Sequence, residues 1–319
     1  MKNMKNKDTG CLLGLAAGDA LGAAVEFMSL EQIKDTYGAS GIQDFDRWGD
    51  FGAGSYTDDT QMAIATACGL IQSAKKVNKK ELWAPVPYVY KEYIKWLKSQ
   101  EDPSQMRRPG YTCLTALRSG NMGTLNKPIN DSKGCGGVMR VAPVGLACDV
   151  DYAFNIGVQT AAITHGHPSG YLPSGFLAEL IGYMAKDQDL QESIKKARQT
   201  LSFYGRHEET MEKVDEALQL AEKKEPIENG IEKLGQGWVG EEALAVSLFC
   251  SLIYEDDFSR AVKAAVNHSG DSDSTGAITG AIMGAKLGAD AVPKNWVERL
   301  ENAAYLQGLG EEMFSLFFK

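Results

Sequence analysis

Residues 270–285 read GDSDSTGAITGAIMGA, an acidic cluster that leads directly into a run of small and apolar residues. In residues 57–67, TDDTQMAIATA, an acidic cluster is likewise followed by small and apolar residues. Residues 14–24, GLAAGDALGAA, form a second glycine-rich run. Apolar residues spaced by three and four positions predict a helix in each run. Because glycine inside a helix costs about 1 kcal/mol relative to alanine, its repeated use indicates helices that approach each other closely at the centre of the fold.

The remaining sequence has the same helical spacing and lacks the alternation that is typical of strands. We therefore predict an all-α protein, and we expect a single domain over residues 1–319 because no linker divides the chain. Glu26 is expected on one face of the first helix as it continues. Helices are predicted near residues 9–25, 58–75, 80–98, 110–119, 151–164, 170–186, 189–202, 207–224, 240–254, 257–267, 274–288, 294–305 and 308–318.

The two acidic clusters, TDDT at residues 57–60 and DSDST at residues 271–275, indicate a metal site. Adjacent carboxylates repel each other and are costly to bury together unless a cation neutralises them. The clusters offer four carboxylates and several hydroxyl groups but no Cys or His, a donor set that favours Mg²⁺ or Mn²⁺ over Zn²⁺. The alternative is helix capping, since Asp, Ser and Thr are preferred at helix N-termini. A cap needs only one oxygen, so the second carboxylate in each cluster favours metal binding.

The composition is ordinary for a globular enzyme, with 44% hydrophobic and 24% charged residues. A net charge of −9 and scattered Lys and Arg residues argue against a nucleic-acid partner. The apolar run at residues 11–18 ends at Asp19, so we reject a signal peptide, and residues 243–254 are too few to span a bilayer. Six cysteines that stand singly are typical of free thiols in a reducing compartment. We therefore expect a cytoplasmic protein without a membrane partner.

A glycine-rich segment, KGCGG at residues 133–137, has the composition of a loop that binds phosphate groups. Its glycines leave consecutive backbone N–H groups unobstructed, as binding of a pyrophosphate requires. Lys133 and Arg140 lie nearby in the sequence and would add positive charge. The alternative is a plain turn before a helix.

Six stretches, in order along the chain, closely resemble the motifs of the ADP-ribosylglycohydrolase family. The resemblance extends from about residue 10 to residue 288, and six ordered motifs are much more specific than any one of them. The stretches are GLAAGDALG (14–22), GSYTDDTQ (54–61), SKGCGGVMRVAP (132–143), THGHP (164–168), GWVGEEA (237–243) and GDSDSTG (270–276).

The resemblance implies an all-α orthogonal bundle of helices with a site for two divalent cations, Mg²⁺ or Mn²⁺, at the floor of a cleft that accepts ADP-ribose. Many members have Thr where this chain has Ser274, but the hydroxyl group is retained. Matched position by position, the resemblance implies the metal ligands Thr57, Asp58, Asp59, Asp271, Asp273 and Ser274.

The resemblance also implies roles for residues around the metals. Asp58 or Asp59 is expected to act as the general base. Glu26 matches a glutamate that helps to gate the site, and its alternative is a half-exposed helix carboxylate. His165 matches a position that lines the ADP-ribose cleft. The residues expected to bind substrate are Lys133, Gly134, Cys135, Gly136, Gly137, Arg140 and His165.

The resemblance implies a metal-dependent hydrolase that removes ADP-ribose from a mono-ADP-ribosylated arginine of a protein and releases intact ADP-ribose. Several alternatives stay open. The substrate could be ADP-ribosyl-serine, O-acetyl-ADP-ribose or an ADP-ribosylated nucleobase. The protein could instead be a non-catalytic ADP-ribose-binding protein, or a metallophosphohydrolase that cleaves the pyrophosphate. We expect residues 38–56 and 101–112 to form the mouth of the cleft, with Arg107 and Arg108 near the entrance. Trp238 is either a core aromatic or a stacking platform.

Overall fold

The computed structural model describes residues 2–76 and 83–318, which form sixteen α-helices and two short 3-10 helices. These ranges contain isolated bridges but no strand, so the prediction of an all-α protein is confirmed. The 3-10 helices span Cys135–Gly137 and Ala289–Ala291. The α-helices are α1 (Lys2–Gly22), α2 (Leu30–Tyr37), α3 (Asp58–Lys76), α4 (Val86–Ser99), α5 (Tyr111–Arg118), α6 (Ala142–Ala147), α7 (Val150–Ala162), α8 (Pro168–Ala185), α9 (Leu190–Leu201), α10 (Glu208–Glu222), α11 (Ile227–Leu234), α12 (Gly240–Ile253), α13 (Phe258–Val266), α14 (Ser272–Leu287), α15 (Lys294–Arg299) and α16 (Ala303–Phe317).

The end of α1 differs from the prediction in a way that bears on the site. The helix ends at Gly22 rather than continuing to residue 25, and residues 23–27 form turns. Gly22 lies against the backbone of Ser272 and Asp273, where α14 begins, so the chain turns away at this contact. Glu26 therefore projects from a turn and not from a helix face.

Two other boundaries differ. The predicted helix 80–98 has its first residues outside the described ranges, and α4 begins only at Val86. The predicted helix 294–305 ends already at Arg299. Asn302 adopts the left-handed backbone conformation, with φ 55°, and α16 starts directly after it. A residue in that conformation interrupts a right-handed helix.

Three short helices, α2, α6 and α11, are missing from the prediction. They contain only six to eight residues, which is too short for apolar periodicity to be recognised. The N-terminus of α2 nevertheless carries a local signal. Ser29 and Gln32 form a capping box, each side chain bonding to the backbone N–H group of the other.

Helices α1 and α14 run antiparallel in direct backbone contact, as the glycine-rich runs predicted. A Cβ atom on the glycines at this interface would overlap backbone atoms of the opposite helix. This contact fixes the C-terminal end of α1 beside the N-terminal end of α14. The glycines face each other in the pairs Gly10 and Gly284, Gly14 and Gly280, and Gly18 and Gly276.

Buried apolar side chains form two clusters, and α1 contributes to both. Leu12 and Leu15 belong to the larger cluster, which includes residues of α3, α8, α12 and α14. Leu13 and Leu21 belong to the smaller one, which includes residues of α13 and α15. The helix pair α1 and α14 is therefore at the centre of the fold. Within the described residues, no helix is long and apolar enough to cross a membrane.

Replacing Gly280 by alanine is expected to lower the free energy of unfolding by about 2 to 3 kcal/mol, because the added Cβ would overlap the carbonyl oxygen of Gly14. Gly308 on the exposed side of α16 is the matched control, since a Cβ there meets no atom within 4 Å. Gly308→Ala is expected to be neutral or to stabilise by up to about 1 kcal/mol. Urea denaturation measures both changes. Equal stability of the two variants would contradict the role of close backbone packing.

Candidate active site

A cavity of about 340 Å³ lies where α3 and α14 begin, beside the turns that follow α1. Its walls include residues 108–113, part of the glycine-rich loop and Trp238. Thr57, Lys133, Gly137 and Arg140 do not line it. The predicted site residues that line the cavity are Glu26, Asp58, Asp59, Gly134, Cys135, Gly136, His165, Asp271, Asp273 and Ser274.

The two acidic clusters, far apart in the sequence, meet in this cavity. The Ser274 hydroxyl donates a hydrogen bond to Asp59 Oδ2 at 2.8 Å, which joins the start of α14 to the start of α3. Carboxylate oxygens of Glu26, Asp271 and Asp273 all lie within 4.8 Å of one another. Every one of these donors is an oxygen, the ligand type that hard divalent cations prefer.

Capping does not explain the carboxylates of the clusters, although the Thr57 hydroxyl accepts an N–H group of α3. The N-terminus of α3 is capped by Asp19 from α1, whose carboxylate accepts hydrogen bonds from the Thr57 N–H group (2.8 Å), the Thr60 N–H group (2.9 Å) and the Thr60 hydroxyl (2.5 Å). Asp271 occupies the N-cap position of α14 but its side chain makes no capping bond. The carboxylates of Asp58, Asp59 and Asp271 are thus left for the cavity.

Sequence reasoning missed the role of Asp19. Its side chain is fully buried, and burial together with the nearby Asp273 carboxylate raises its pKa to about 7, against the hydrogen bonds from Thr57 and Thr60. The available signal was an aspartate inside the apolar motif at residues 14–22, because a carboxylate in a buried helix needs hydrogen-bond donors. Thr57 itself is buried behind the cavity wall, and its hydroxyl accepts the Asp59 N–H group at 3.3 Å.

The carboxylates of the cavity are electrostatically strained. Burial raises the pKa of Asp58, Asp59 and Asp271 well above the usual range, and the Asp273 carboxylate raises each further. Burial also raises the pKa of Glu26 to about 10, with added repulsion from Asp273 and Asp271. Removing a carboxylate from water and placing it beside others disfavours its charged form. A bound cation would reverse this effect.

Glu26 is held by Arg108, whose guanidinium donates to the Glu26 carboxylate at 3.0 Å and to the Ala23 carbonyl at 2.7 Å. The Glu26 side chain is only 8% exposed and Glu26 lies in a turn. The alternative of a half-exposed carboxylate on a helix is therefore wrong in exposure and in secondary structure. The Arg108 guanidinium also stacks over Trp48, 4.7 Å from the ring centre. Arg108 has a positive φ of 56°, a strained conformation of the kind found at functional sites.

The glycine-rich loop offers fewer free N–H groups than predicted. The Gly134 N–H group donates to the Ser132 hydroxyl at 3.2 Å, and the Cys135 N–H group donates to the Trp238 carbonyl at 3.1 Å. At most Gly136 and Gly137 remain to bind a ligand through the backbone. The loop is nevertheless tightly fitted, because a Cβ on Gly136 would lie 2.9 Å from both Cys113 Sγ and the His165 ring.

The side chains of Lys133 and Arg140 do not line the cavity and are engaged by other residues. Lys133 pairs with Glu209 at 2.5 Å on the protein surface. Arg140 is buried, donates to the Thr164 hydroxyl at 2.6 Å and stacks over the Tyr93 ring. The expectation that these two side chains supplement the glycine loop therefore has no support in the geometry.

His165 is completely buried beneath the glycine-rich loop. Its Nδ1 atom lies 2.9 Å from the Thr164 hydroxyl, which fixes the orientation of the ring. Burial, assisted by the charge of Arg140, lowers the pKa of His165 to about 3. The ring is neutral at physiological pH and can exchange hydrogen bonds with a ligand, but it cannot supply a positive charge.

Cys135 makes a hydrogen bond to the acidic cluster that sequence reasoning did not predict. Its thiol donates to Asp271 Oδ2 at 2.8 Å, so it orients one of the clustered carboxylates. Burial raises the pKa of Cys135 well above its usual range, and the Asp271 carboxylate raises it further. The thiol is therefore neutral and acts as a hydrogen-bond donor.

The mouth of the cavity is aromatic. Phe27 and Trp238 stack with ring centres 5.4 Å apart, and Tyr111 is 81% exposed beside them. Trp238 is 37% exposed, so it is a platform at the rim and not a core residue. Arg107 is not at the entrance as expected; it is buried and pairs with Glu301. Residues 38–56 do not line the cavity, contrary to the expectation, although Trp48 contacts Arg108, which does.

The whole chain, residues 1–319, matches the sequence profile of the family described as ADP-ribosylglycohydrolase. The chain belongs to the ADP-ribosylglycohydrolase family. The resemblance seen in the motifs is thereby confirmed. A solved structure of an ADP-ribosylglycohydrolase-related protein complex covers 99% of both chains with a TM-score of 0.77 and 23% identity, which supports the fold alone.

Three ADP-ribosylglycohydrolase relatives cover nearly the whole chain. An uncharacterized protein of Archaeoglobus fulgidus is 29% identical over 99% of this chain and 98% of its own. The ADP-ribosyl-[dinitrogen reductase] glycohydrolase of Rhodospirillum rubrum is 28% identical over 94% and 92%. The ADP-ribosylarginine hydrolase Tri1 of Pseudomonas putida is 24% identical over 96% of this chain and 77% of its own.

For the divalent-cation site that the sequence predicts, Asp19→Asn is expected to weaken Mn²⁺ binding by roughly 10- to 100-fold, because the amide can no longer accept all three donors that position the start of α3. Asp189→Asn is the matched control, since Asp189 caps α9 through the N–H groups of Gln191 and Glu192. Both variants replace a capping carboxylate by an amide, and the Asp189→Asn variant can still cap α9 because both N–H groups donate to one oxygen of Asp189. Only the first variant should change Mn²⁺ affinity in calorimetric titration. An equal effect of both on affinity would contradict this role of Asp19.

Proposed function

We propose that this protein is a metal-dependent hydrolase that removes ADP-ribose from mono-ADP-ribosylated arginine side chains of proteins. The observation that carries the proposal is the convergence of five carboxylates from α3, α14 and the turn after α1 in one cavity. The names of relatives support the substrate. Two of them, in Pseudomonas putida and Serratia proteamaculans, are named ADP-ribosylarginine hydrolase.

The residues of the cavity fit divalent cations. All the acidic donors are carboxylate oxygens, and among the described residues Arg108 is the only cationic side chain that lines the cavity. Arg108 is already paired with Glu26. The raised pKa values of Asp58, Asp59 and Asp271 show that their charged forms lack compensating positive charge, and hard oxygen donors suit Mg²⁺ or Mn²⁺. We assign Asp58, Asp59, Asp271, Asp273 and Ser274 to hold two such ions, with Thr57 the least well supported ligand.

Bound divalent cations supply Lewis-acid chemistry, because they orient ribose hydroxyl groups and lower the pKa of water. The protein contributes the position of the substrate. We assign the ribose adjacent to the scissile bond to the floor over Asp59 and Asp273, where its hydroxyl groups would meet the bound cations, and the pyrophosphate toward Gly136. His165, neutral and fixed by Thr164, is available to a ligand oxygen at the same wall.

A carboxylate of the cavity takes the proton of the attacking water. The water oxygen bonds to C1″ of the ribose as the bond from C1″ to the arginine nitrogen breaks, through a state with oxocarbenium character. The arginine nitrogen keeps the bonding electron pair and takes up the proton from the carboxylate, so that arginine leaves as its guanidinium. Asp58 accepts the Gly110 N–H group at 3.2 Å, and Asp59 accepts the Ser274 hydroxyl at 2.8 Å. Each hydrogen bond fixes its carboxylate, so either can serve as the base. Glu26, held by Arg108, bounds the same space, with its carboxylate within 4.8 Å of those of Asp271 and Asp273.

Mn²⁺ is expected to bind to the wild-type protein with two ions per chain, measured by electron paramagnetic resonance of the unbound ion. Asp59→Asn and Asp273→Asn should each lose at least one site, because an amide cannot neutralise a dication. Asp290→Asn, an exposed position in the second 3-10 helix, is the control and should leave binding unchanged. A wild-type protein that binds no divalent cation would remove the foundation of this proposal.

Asp58→Asn and Asp59→Asn are expected to reduce hydrolysis of ADP-ribosyl-arginine by roughly two to four orders of magnitude, since each loses a proton acceptor and a negative charge. Circular dichroism should show that the helices are retained. Excess EDTA should abolish the wild-type activity, and Mn²⁺ should restore it. Full activity of both variants in EDTA would show the metal mechanism to be wrong.

The identity of the product tests the reaction itself. Incubation with an arginine-ADP-ribosylated protein and Mn²⁺ is expected to release intact ADP-ribose, identified by mass spectrometry, and free ADP-ribose should inhibit. Release of AMP would indicate a pyrophosphate hydrolase. Activity confined to ADP-ribosyl-serine or O-acetyl-ADP-ribose would exclude arginine as the acceptor while leaving the metal site intact.

A further inference from the structure

A chain of hydrogen bonds holds His165 from behind the wall of the candidate active site. Arg140 Nη2 donates to the Thr164 hydroxyl at 2.6 Å, and that hydroxyl lies 2.9 Å from His165 Nδ1. All three residues are only 1% exposed. Of the three, His165 alone lines the cavity. Arg140 can therefore act on a ligand only through the other two.

The direction of these hydrogen bonds follows from what each group can donate. A guanidinium only donates, so the Thr164 oxygen accepts from Arg140 and its own hydrogen points elsewhere. Within the described residues, His165 Nδ1 and the Cys113 sulfur are the acceptors near that hydrogen. A thiol sulfur is a weak acceptor, and this one already receives Arg140 Nη1 at 3.3 Å. The Thr164 hydrogen therefore goes to Nδ1, and His165 carries its own hydrogen on Nε2.

This Nε2 atom is directed at the glycine-rich loop. A Cβ on Gly134 would lie 3.2 Å from it and a Cβ on Gly136 would lie 3.3 Å from it, so the two glycines leave it uncovered. Nε2 makes no hydrogen bond to any part of the chain that the structure describes. A donor in a buried ring without an acceptor indicates a missing ligand group.

The backbone on both sides of His165 is also fixed. The Asn130 side chain donates to the Thr164 carbonyl at 2.8 Å and accepts the Gly166 N–H group at 3.1 Å. The His165 N–H group donates to the Ala161 carbonyl at 3.0 Å. The ring cannot easily turn to exchange its two nitrogens, so the position of its hydrogen is set by Thr164.

We propose that Arg140 and Thr164 are positioning residues that hold His165 in the Nε2–H form, so that the ring donates to an oxygen of the bound ADP-ribose group. The inference rests on the proposed function for the identity of this ligand. With its hydrogen on Nδ1 instead, the ring would present a lone pair to the same oxygen and repel it. Arg140 contributes by orienting Thr164, which explains why a buried cation that does not line the cavity lies directly behind its wall.

Spectroscopy of ¹⁵N-labelled histidine rings tests the position of the hydrogen, and the chain has only four histidines. In the wild-type protein without ligand, His165 is expected to show a protonated Nε2 and an unprotonated Nδ1. The signals should stay unchanged between about pH 6 and 8, because the ring is neutral throughout that range. Loss of the signals in His165→Gln identifies them. A hydrogen on Nδ1 in the wild-type protein would overturn the inference.

Thr164→Val removes the hydroxyl that donates to Nδ1. The ratio of the Nε2–H form to the Nδ1–H form is expected to fall about five- to tenfold, the effect of losing one ordinary hydrogen bond. The Kd for ADP-ribose with Mg²⁺, measured by calorimetry, should rise about two- to fourfold, because a smaller fraction of the protein is competent to bind. Thr164→Ser is the matched control and should retain both values, since it keeps the hydroxyl.

Arg140→Met supplies a second variant, because it frees the Thr164 oxygen to accept from Nδ1. It should lower the same tautomer ratio while circular dichroism shows the helices retained. A Thr164→Val protein with the wild-type ratio and affinity would overturn the inference. The ratio is measured without ligand, so it decides the roles of Arg140 and Thr164 whatever the substrate. A wild-type protein that does not bind ADP-ribose would instead overturn the proposed function.

Discussion

Mutual repulsion among buried carboxylates is the constraint on which the rest of the structure depends. Asp58, Asp59, Asp271 and Asp273 are at least nine-tenths buried, and Glu26 lies beside them. Such a cluster disfavours folding unless other interactions hold it, because each charge loses hydration and repels its neighbours. The only cationic side chain that lines the cavity, within the described residues, is bound to Glu26 and lies at its edge. Apolar packing of the surrounding helices has to offset this cost until a cation is bound.

The backbone contact between α1 and α14 provides that support. Opposed glycines bring the two helix axes so close that little adjustment is available, and this fixes both Asp19 and the start of α14. Asp19 then positions the start of α3 through Thr57 and Thr60. The geometry of the site thus follows from three helix ends held by one rigid pair, and the carboxylates themselves do little of the positioning.

Most of the fold and the floor of the site could be predicted from sequence, since both depend on local patterns. Long helices show apolar periodicity, and the acidic clusters are contiguous in the chain. What was missed depends on tertiary contacts. The role of Asp19 requires knowing that α1 ends beside α3, and the misplacement of Lys133 arose because its partner, Glu209, is distant in sequence. Arg107 was expected at the entrance for its charge, yet its bond to Glu301 buries it. Position in the sequence gives no information about such partners.

Charge also limits how an ADP-ribose group can lie in the cleft. Two divalent cations would offset the charge of the floor carboxylates, and neither the Lys133 nor the Arg140 side chain lines the cavity to hold the phosphate groups. Arg108 carries the positive charge that does line the cavity, above the aromatic rings of Trp48 and Phe27. The uncharged ribose hydroxyl groups therefore suit the floor, and the phosphates suit a place farther out. In that orientation the bond to the acceptor lies near the carboxylates, one of which can take the proton of the attacking water.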